Sequence, residues 1–205
     1  MGIQVAVLAS GRGSDFQSLL DGIAAGRVDA RITLLITDNA EAPAIGRAEK
    51  NSIPHVVILR ENYADRVEHD RAIRKALDSA KIDLVVLAGY MRVIKDKDFL
   101  NSYSGRIINI HPSLLPAFPG AHAQKDAFEH GAKVSGYTIH FVDSSLDGGP
   151  IIHQEAVYIG SCKSAEEATQ KILEREHEGL PKIVDSFSKG RYVISGRRVE
   201  YQKNP

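Results

Sequence analysis

Tryptophan is absent from this chain of 205 residues, and cysteine occurs once, as Cys162. A single thiol excludes an internal disulfide framework and fits a reducing compartment. Long apolar runs are missing too: none approaches the ~18 residues that a membrane span requires. Neither sign of charge is in excess, because Lys+Arg and Asp+Glu both number 26. That balance argues against binding nucleic acid through bulk positive charge. No basic n-region precedes the apolar residues 3–8, which read as a first strand and not as a signal peptide. Linkers rich in Pro, Gly or Ser, internal repeats and low-complexity tracts are all lacking. No His, Cys, Asp or Glu grouping has zinc-site spacing, so no metal is expected. These absences describe a cytoplasmic globular protein of small-molecule chemistry. Neither a membrane nor a nucleic-acid partner is expected, and the protein would be a monomer or a homodimer.

What is present alternates. Strands are predicted at residues 3–9, 31–37, 55–58, 84–88 and 106–110. Helices are predicted over 15–25, 44–51 and 63–80. Residues 84–88 are almost wholly apolar, which marks burial on both faces and therefore a parallel sheet. Strand–helix alternation implies βαβ units with right-handed crossovers. Beyond residue 116 the pattern changes. Residues 134–142 and 151–159 read as strands flanking a polar loop. Residues 164–188 read as a long helix opened by a capping box of Ser164 and Glu167. Residues 192–195 and 198–201, split by Gly196 and Arg197, read as a small hairpin. The length fits one domain, residues 1–205. Its mononucleotide-binding half would span about 1–105, and its catalytic half about 106–205. The expected fold class is α/β: an open, mostly parallel, twisted sheet with helices on both faces, Rossmann-like. Ligands of such sheets sit beyond the carboxyl ends of the strands. Residues 11–14, residues 89–92 and His111 fall at those ends.

Ser10-Gly-Arg-Gly-Ser14 follows the first strand and opens the first helix. Its glycines permit a tight turn and a close backbone approach. Exposed N–H groups and the helix dipole favour an anion there. A dinucleotide fingerprint would need a third glycine where Phe16 stands, and the Gly-Lys-Ser/Thr ending of a P-loop is missing. The reading is a mononucleotide phosphate site, with Arg12 as an additional charge and Asp15 as the helix N-cap.

Residues 106–116 read as an apolar strand that ends in chemistry. Ile107, Ile108 and Ile110 suit a buried strand. Asn109 and His111 lie two apart and therefore point to one face. Asn109 offers an amide donor, and His111 offers a base or a cationic acid near neutral pH. Asp147, in a second polar loop, can charge and orient the imidazole. Donor, imidazole and carboxylate are the parts needed to pass a carbonyl carbon from one nitrogen to another.

Asn109-Ile-His-Pro-Ser-Leu-Leu-Pro116, followed by Leu146-Asp-Gly-Gly-Pro150, resembles the signature of the folate-dependent formyltransferases. Ala9-Ser-Gly-Arg-Gly-Ser-Asp-Phe-Gln17 narrows the resemblance to the branch that formylates glycinamide ribonucleotide in purine biosynthesis. The likeness runs from about Val5 to about Val184. It implies transfer of a formyl group from 10-formyltetrahydrofolate, a cosubstrate, with no metal. Asn109 and His111 would donate to the oxyanion, and Asp147 would charge His111. The ribonucleotide would meet Gly11, Arg12, Gly13, Ser14, Asp15, Phe16, Gln17, Pro112 and Glu176. The folate would meet Arg66, Met91, Arg92, Val93, Ile94, Asn109, Asp143, Ser144, Ser145, Leu146 and Asp147. His122 and His140 would stand close behind. The Leu115–Pro116 bond would be cis. Two departures stand out: Asp15 where the family usually has asparagine, and Leu173 where many relatives carry a polar or basic side chain. Alternatives are a sibling transferase with another acceptor, a formyl-folate hydrolase, or a nucleotide-binding regulator without catalysis.

Overall fold

The computed structural model describes residues 2–204. From the N-terminus, β1 (Ile3–Leu8), α1 (Ser14–Ala24), β2 (Ala30–Thr37), α2 (Ala44–Lys50) and β3 (His55–Val57) alternate. Next come α3 (Arg66–Ser79), β4 (Leu84–Leu87), α4 (Lys97–Ser102) and β5 (Ile107–His111). The chain continues through α5 (Ala123–Glu129), β6 (Val134–Phe141), β7 (Ile151–Tyr158) and α6 (Ala165–Lys189). It closes with a hairpin of β8 (Gly190–Ser195) and β9 (Arg198–Lys203). Seven strands form one sheet in the order β3-β2-β1-β4-β5-β6-β7, and β8 pairs only with β9. The first five are parallel, whereas β6 and β7 add antiparallel.

Alternation along β1 divides the interior into two layers, because successive side chains leave opposite faces. Val5 and Val7 join Phe16 and Leu19 of α1 and Ile172 and Leu180 of α6 on one face. Ala6 and Leu8 join Ile73 and Leu77 of α3 and Phe99 of α4 on the other. Strand order reverses between β1 and β4, which opens a crevice at their carboxyl ends.

Several boundaries differ from expectation. The predicted helix 63–80 starts at Arg66. Asp65 caps it by accepting from the Glu68 N–H, and residues 60–62 form a separate 3-10 turn. The short helices α4 and α5 were not foreseen. Ser164 does cap α6 by accepting from the Glu167 N–H. The Glu167 carboxylate, however, takes the N–H of Lys163 instead of Ser164's own. Asp15 is not an N-cap. That position belongs to Gly13 at φ 65°, without a side-chain cap. Positive φ suits glycine, and a Cβ there would come within 2.9 Å of the Ala44 Cβ. The chain therefore turns into α1 two residues before Asp15, which leaves its carboxylate inside the first turn and not at the cap.

The long helix α6 presses closely on β6. A Cβ added at Gly179 would lie 1.7 Å from the Tyr137 hydroxyl oxygen, and that hydroxyl donates to Glu155 at 2.9 Å. Gly→Ala inside a helix ordinarily stabilises by about 0.5–1 kcal/mol. Gly179→Ala is expected instead to destabilise by about 1–3 kcal/mol, because overpacking must displace a fully buried ring. Gly46→Ala in α2 meets open space and is expected to stabilise. Thermal denaturation of both variants checks the opposite signs, and stabilisation by Gly179→Ala would disprove the close fit.

Candidate active site

A cavity of about 480 Å³ opens over the carboxyl ends of β1, β4 and β5. Gly11, Arg12, Gly13, Ser14 and Asp15 line one end of it. Met91, Arg92, Val93 and Ile94 line a wall, with Asn109, His111 and Pro112 at the end of β5. Asp143, Ser145, Leu146 and Asp147 arrive from the β6–β7 loop, and Glu176 from α6. His140, Leu173 and Gln124 border the same space. Apolar walls with a few convergent polar groups suit a small organic ligand.

Four polar side chains meet at the head of the cavity. His140 Nδ1 lies 2.8 Å from the Phe141 carbonyl oxygen. A carbonyl can only accept, so Nδ1 carries the proton. Burial pushes the His140 pKa down, which keeps the ring neutral and leaves Nε2 a lone-pair acceptor. Asn109 Nδ2 donates to it at 3.2 Å. The antiparallel register that pairs Asn109 with His140 sets up this contact. It fixes the Asn109 amide and leaves its second N–H for the cavity.

His111 is held from both sides. Its Nε2 donates to the Phe118 carbonyl at 2.9 Å. Its Nδ1 faces Asp147 Oδ2 at 3.5 Å. The same Asp147 oxygen accepts from the Gly120 N–H at 2.8 Å. Asp147 therefore joins the loop 112–122 to the imidazole. Phe118 and Asp147 both adopt left-handed backbone, at φ 51° and 49°, a conformation that costs side-chain-bearing residues energy and clusters at functional sites. Gly149 leaves no room for a side chain, since a Cβ would sit 1.7 Å from the Phe141 carbonyl oxygen. The Leu115–Pro116 bond is cis.

Other expected residues fall elsewhere. Phe16 is fully buried in the core, and the Gln17 side chain is committed to Arg47 and Asp21. Neither side chain lines the cavity, because the helical turn carries them inward and sideways. His122 is exposed at the N-cap of α5 and does not line it either. Ser144 sits at the outer bend of its loop, outside the lining. Arg66 opens α3 and borders a neighbouring cavity of about 230 Å³ with Arg60, His69, Asp70 and Arg92. Arg92 is ion-paired with Asp38, a partner that its position in sequence does not reveal. The expectation that Asp15 caps α1 gives way to another arrangement. Its Oδ1 faces His177 Nε2 at 3.7 Å across the α1–α6 contact. The C-terminal hairpin touches the site loop: Arg197 donates to the Gly148 carbonyl at 3.2 Å.

Among the described residues, no three His, Cys, Asp or Glu side chains come together as a metal site. No described helix is long and apolar enough to cross a membrane.

Known proteins share this architecture. The family described as formyl transferase matches residues 3–184. A phosphoribosylglycinamide formyltransferase of Bacillus subtilis is 42% identical over 179 residues, 87% of this chain and 91% of the relative. The trifunctional purine biosynthetic protein adenosine-3 of Drosophila melanogaster is 40% identical over 194 residues, which are 94% of this chain and 14% of that protein. The crystal structure of glycinamide ribonucleotide transformylase 1 from Symbiobacterium toebii superposes with a TM-score of 0.93 at 42% identity, covering 98% of this chain and 94% of that one.

Proposed function

The chain belongs to the formyl transferase family, and from that premise we propose that it passes a formyl group from 10-formyltetrahydrofolate to the amine of glycinamide ribonucleotide. This is a step of purine biosynthesis. The observation that carries the reading is the junction of Asn109, His111, His140 and Asp147 at the head of a cavity whose far end is a glycine loop opening a helix. One half of the domain, about 1–105, would hold the phosphate. The other, about 106–205, would hold the folate and the reacting groups.

The substrate amine is itself the nucleophile, so no Ser or Cys is required. It attacks the formyl carbon, and negative charge develops on the formyl oxygen. Asn109, fixed by neutral His140, aims its free N–H at that oxygen. Preorganised donors of this kind typically contribute about two to three orders of magnitude in rate. As the intermediate collapses, the proton lost by the amine must end on the departing folate nitrogen, and His111 is placed to carry it. Both of its ring nitrogens are occupied, so it must release one partner to act. The neutral Phe118 carbonyl costs less to release than the Asp147 carboxylate, which stabilises an imidazolium.

The first-turn N–H groups of Ser14, Asp15 and Phe16 have no backbone partner among the described residues, and together with the helix dipole they suit a phosphate. Arg12 is exposed at the cavity edge. The folate ring would lie along residues 91–94, against the loop 143–147, with Arg66 toward its tail. We place the protein in the cytoplasm as a monomer or homodimer.

An assay with 10-formyltetrahydrofolate and a panel of amine acceptors tests the reading. Saturable turnover is expected with glycinamide ribonucleotide. Arg12→Ala is expected to raise the KM for the ribonucleotide about tenfold, the loss of one charge-assisted contact, and to leave the folate KM unchanged. Turnover confined to a different amine would overturn the assignment.

A further inference from the structure

We propose that Asp15 and Glu176 form one acid pair that holds a proton at the phosphate end of the cavity, so that binding of the ribonucleotide is linked to protonation. The inference rests on the substrate reading above and deepens it. Both carboxyls line the cavity, Asp15 from α1 and Glu176 from α6. Glu176 is only 3% exposed, and the Asp15 side chain 13%. Neither forms an ion pair with Lys or Arg among the described residues. Asp15 Oδ1 is buried without a hydrogen bond, and so is His177 Nε2, which faces it. The carboxylate has support from its own backbone N–H, but a buried carboxylate oxygen left without a donor is expensive unless the group takes up a proton.

The surroundings supply no cation to replace that proton. From α6, His177 is pushed by burial toward its neutral form, and Glu174 adds negative charge. From α2, the Arg47 guanidinium is committed to Gln17 and to the Arg12 carbonyl. From α1, Asp21 is a further acid, held by Gln17. From β6, Tyr137 donates to Glu155 and not to the pair. Across the cavity stand neutral His140, and His111 facing Asp147. Arg12 borders the same cavity and is solvent-exposed. Burial accordingly pushes Asp15 up to about 6. Burial first, and then the Asp15 charge, pushes Glu176 well above the usual carboxylate range.

A phosphate monoester brings a charge of about −1.5 to −2 near neutrality. Beside two ionised carboxylates it would be repelled, whereas a pair that keeps a proton removes one charge and adds an O–H donor for a sugar oxygen. Leu173, which borders the cavity beside them, contributes no compensating charge. Ribonucleotide affinity therefore falls as pH rises and the pair loses its proton.

Binding of glycinamide ribonucleotide without folate, followed by calorimetry between pH 6 and 8.5 in buffers of different ionisation enthalpy, tests this. The double variant Asp15→Asn with Glu176→Gln cannot titrate at this pair, and it retains whatever titration belongs to the substrate itself. Wild-type affinity is expected to weaken by up to about tenfold per pH unit beyond that of the variant, with correspondingly greater proton uptake. Equal slopes and equal proton uptake in the two proteins would overturn the linkage alone. Absence of any ribonucleotide binding by the wild type would overturn the substrate reading and the linkage with it. Should the variant fail to fold, carboxyl carbon resonances of the wild type decide: one of the two acids still protonated at pH 7 is expected, and ordinary titration of both near 4 would refute the pair.

Discussion

Asn109→Ala and His111→Ala are each expected to lower kcat by about 100- to 1,000-fold in a folded protein. For Asn109 the magnitude is that of one preorganised donor to a developing oxyanion, and for His111 that of one positioned proton donor. Such donors act more strongly in the transition state than in the ground state, so both KM values should move little. The two variants should differ in one respect. Asn109 is held by His140, a neutral acceptor fixed through its other nitrogen to the Phe141 carbonyl. Loss of Asn109 leaves that framework in place. Loss of His111 removes the partner of both Phe118 and Asp147, so the loop 112–122 should also loosen. Steady-state kinetics beside circular dichroism measures both. Turnover within tenfold of the parent in either folded variant would remove that residue from the proposed chemistry.

The parallel sheet was legible because its strands are short, nearly continuous apolar runs. Leu84–Leu87 is buried throughout, and only burial on both faces tolerates such a run. The helices α4 and α5 were not legible. Each is a turn or two long, and the buried residues are Phe99 in the first and Ala123 and Ala127 in the second. That is too little for an apolar stripe to declare itself. The start of α3 was misread because Tyr63 continues the apolar spacing backward past Asp65, whose cap ends the helix.

At the site, strand periodicity put Asn109 and His111 on one face. What sequence spacing could not supply were the contacts made across elements. His140 meets Asn109 through an antiparallel register, and no local pattern encodes register between distant strands. The Phe118 carbonyl on His111 is backbone, so no residue type announces it. The approach of Asp15 to α6 depends on where α1 begins, which Gly13 decides by its left-handed turn. Resemblance to a family carried His122 toward the site as well, yet an N-cap position at the surface keeps it outside the cavity lining.

Asp147 should separate two roles through two substitutions. Its Oδ2 both accepts the Gly120 N–H and faces His111 Nδ1. Asp147→Asn keeps an oxygen that can accept from Gly120 but removes the negative charge. Asp147→Ala removes both. If the charge supports proton carriage by His111, both variants should lose at least about 100-fold in kcat, in line with the loss seen when a carboxylate that orients and charges a catalytic imidazole is neutralised. If the carboxylate also latches the loop 112–122, only Asp147→Ala should release it, because the half-buried Gly120 N–H then loses its acceptor and the backbone will move to find water. Limited proteolysis within residues 112–122 reads the latch, and single-turnover rates read the chemistry. The expected pattern is slow chemistry in both variants and faster cleavage in Asp147→Ala alone. Parental turnover in Asp147→Asn would show that the charge plays no part. Equal resistance to protease in all three proteins would show that the loop is held by its other contacts, among them the Ser113 hydroxyl that donates to the Ala117 carbonyl at 2.5 Å.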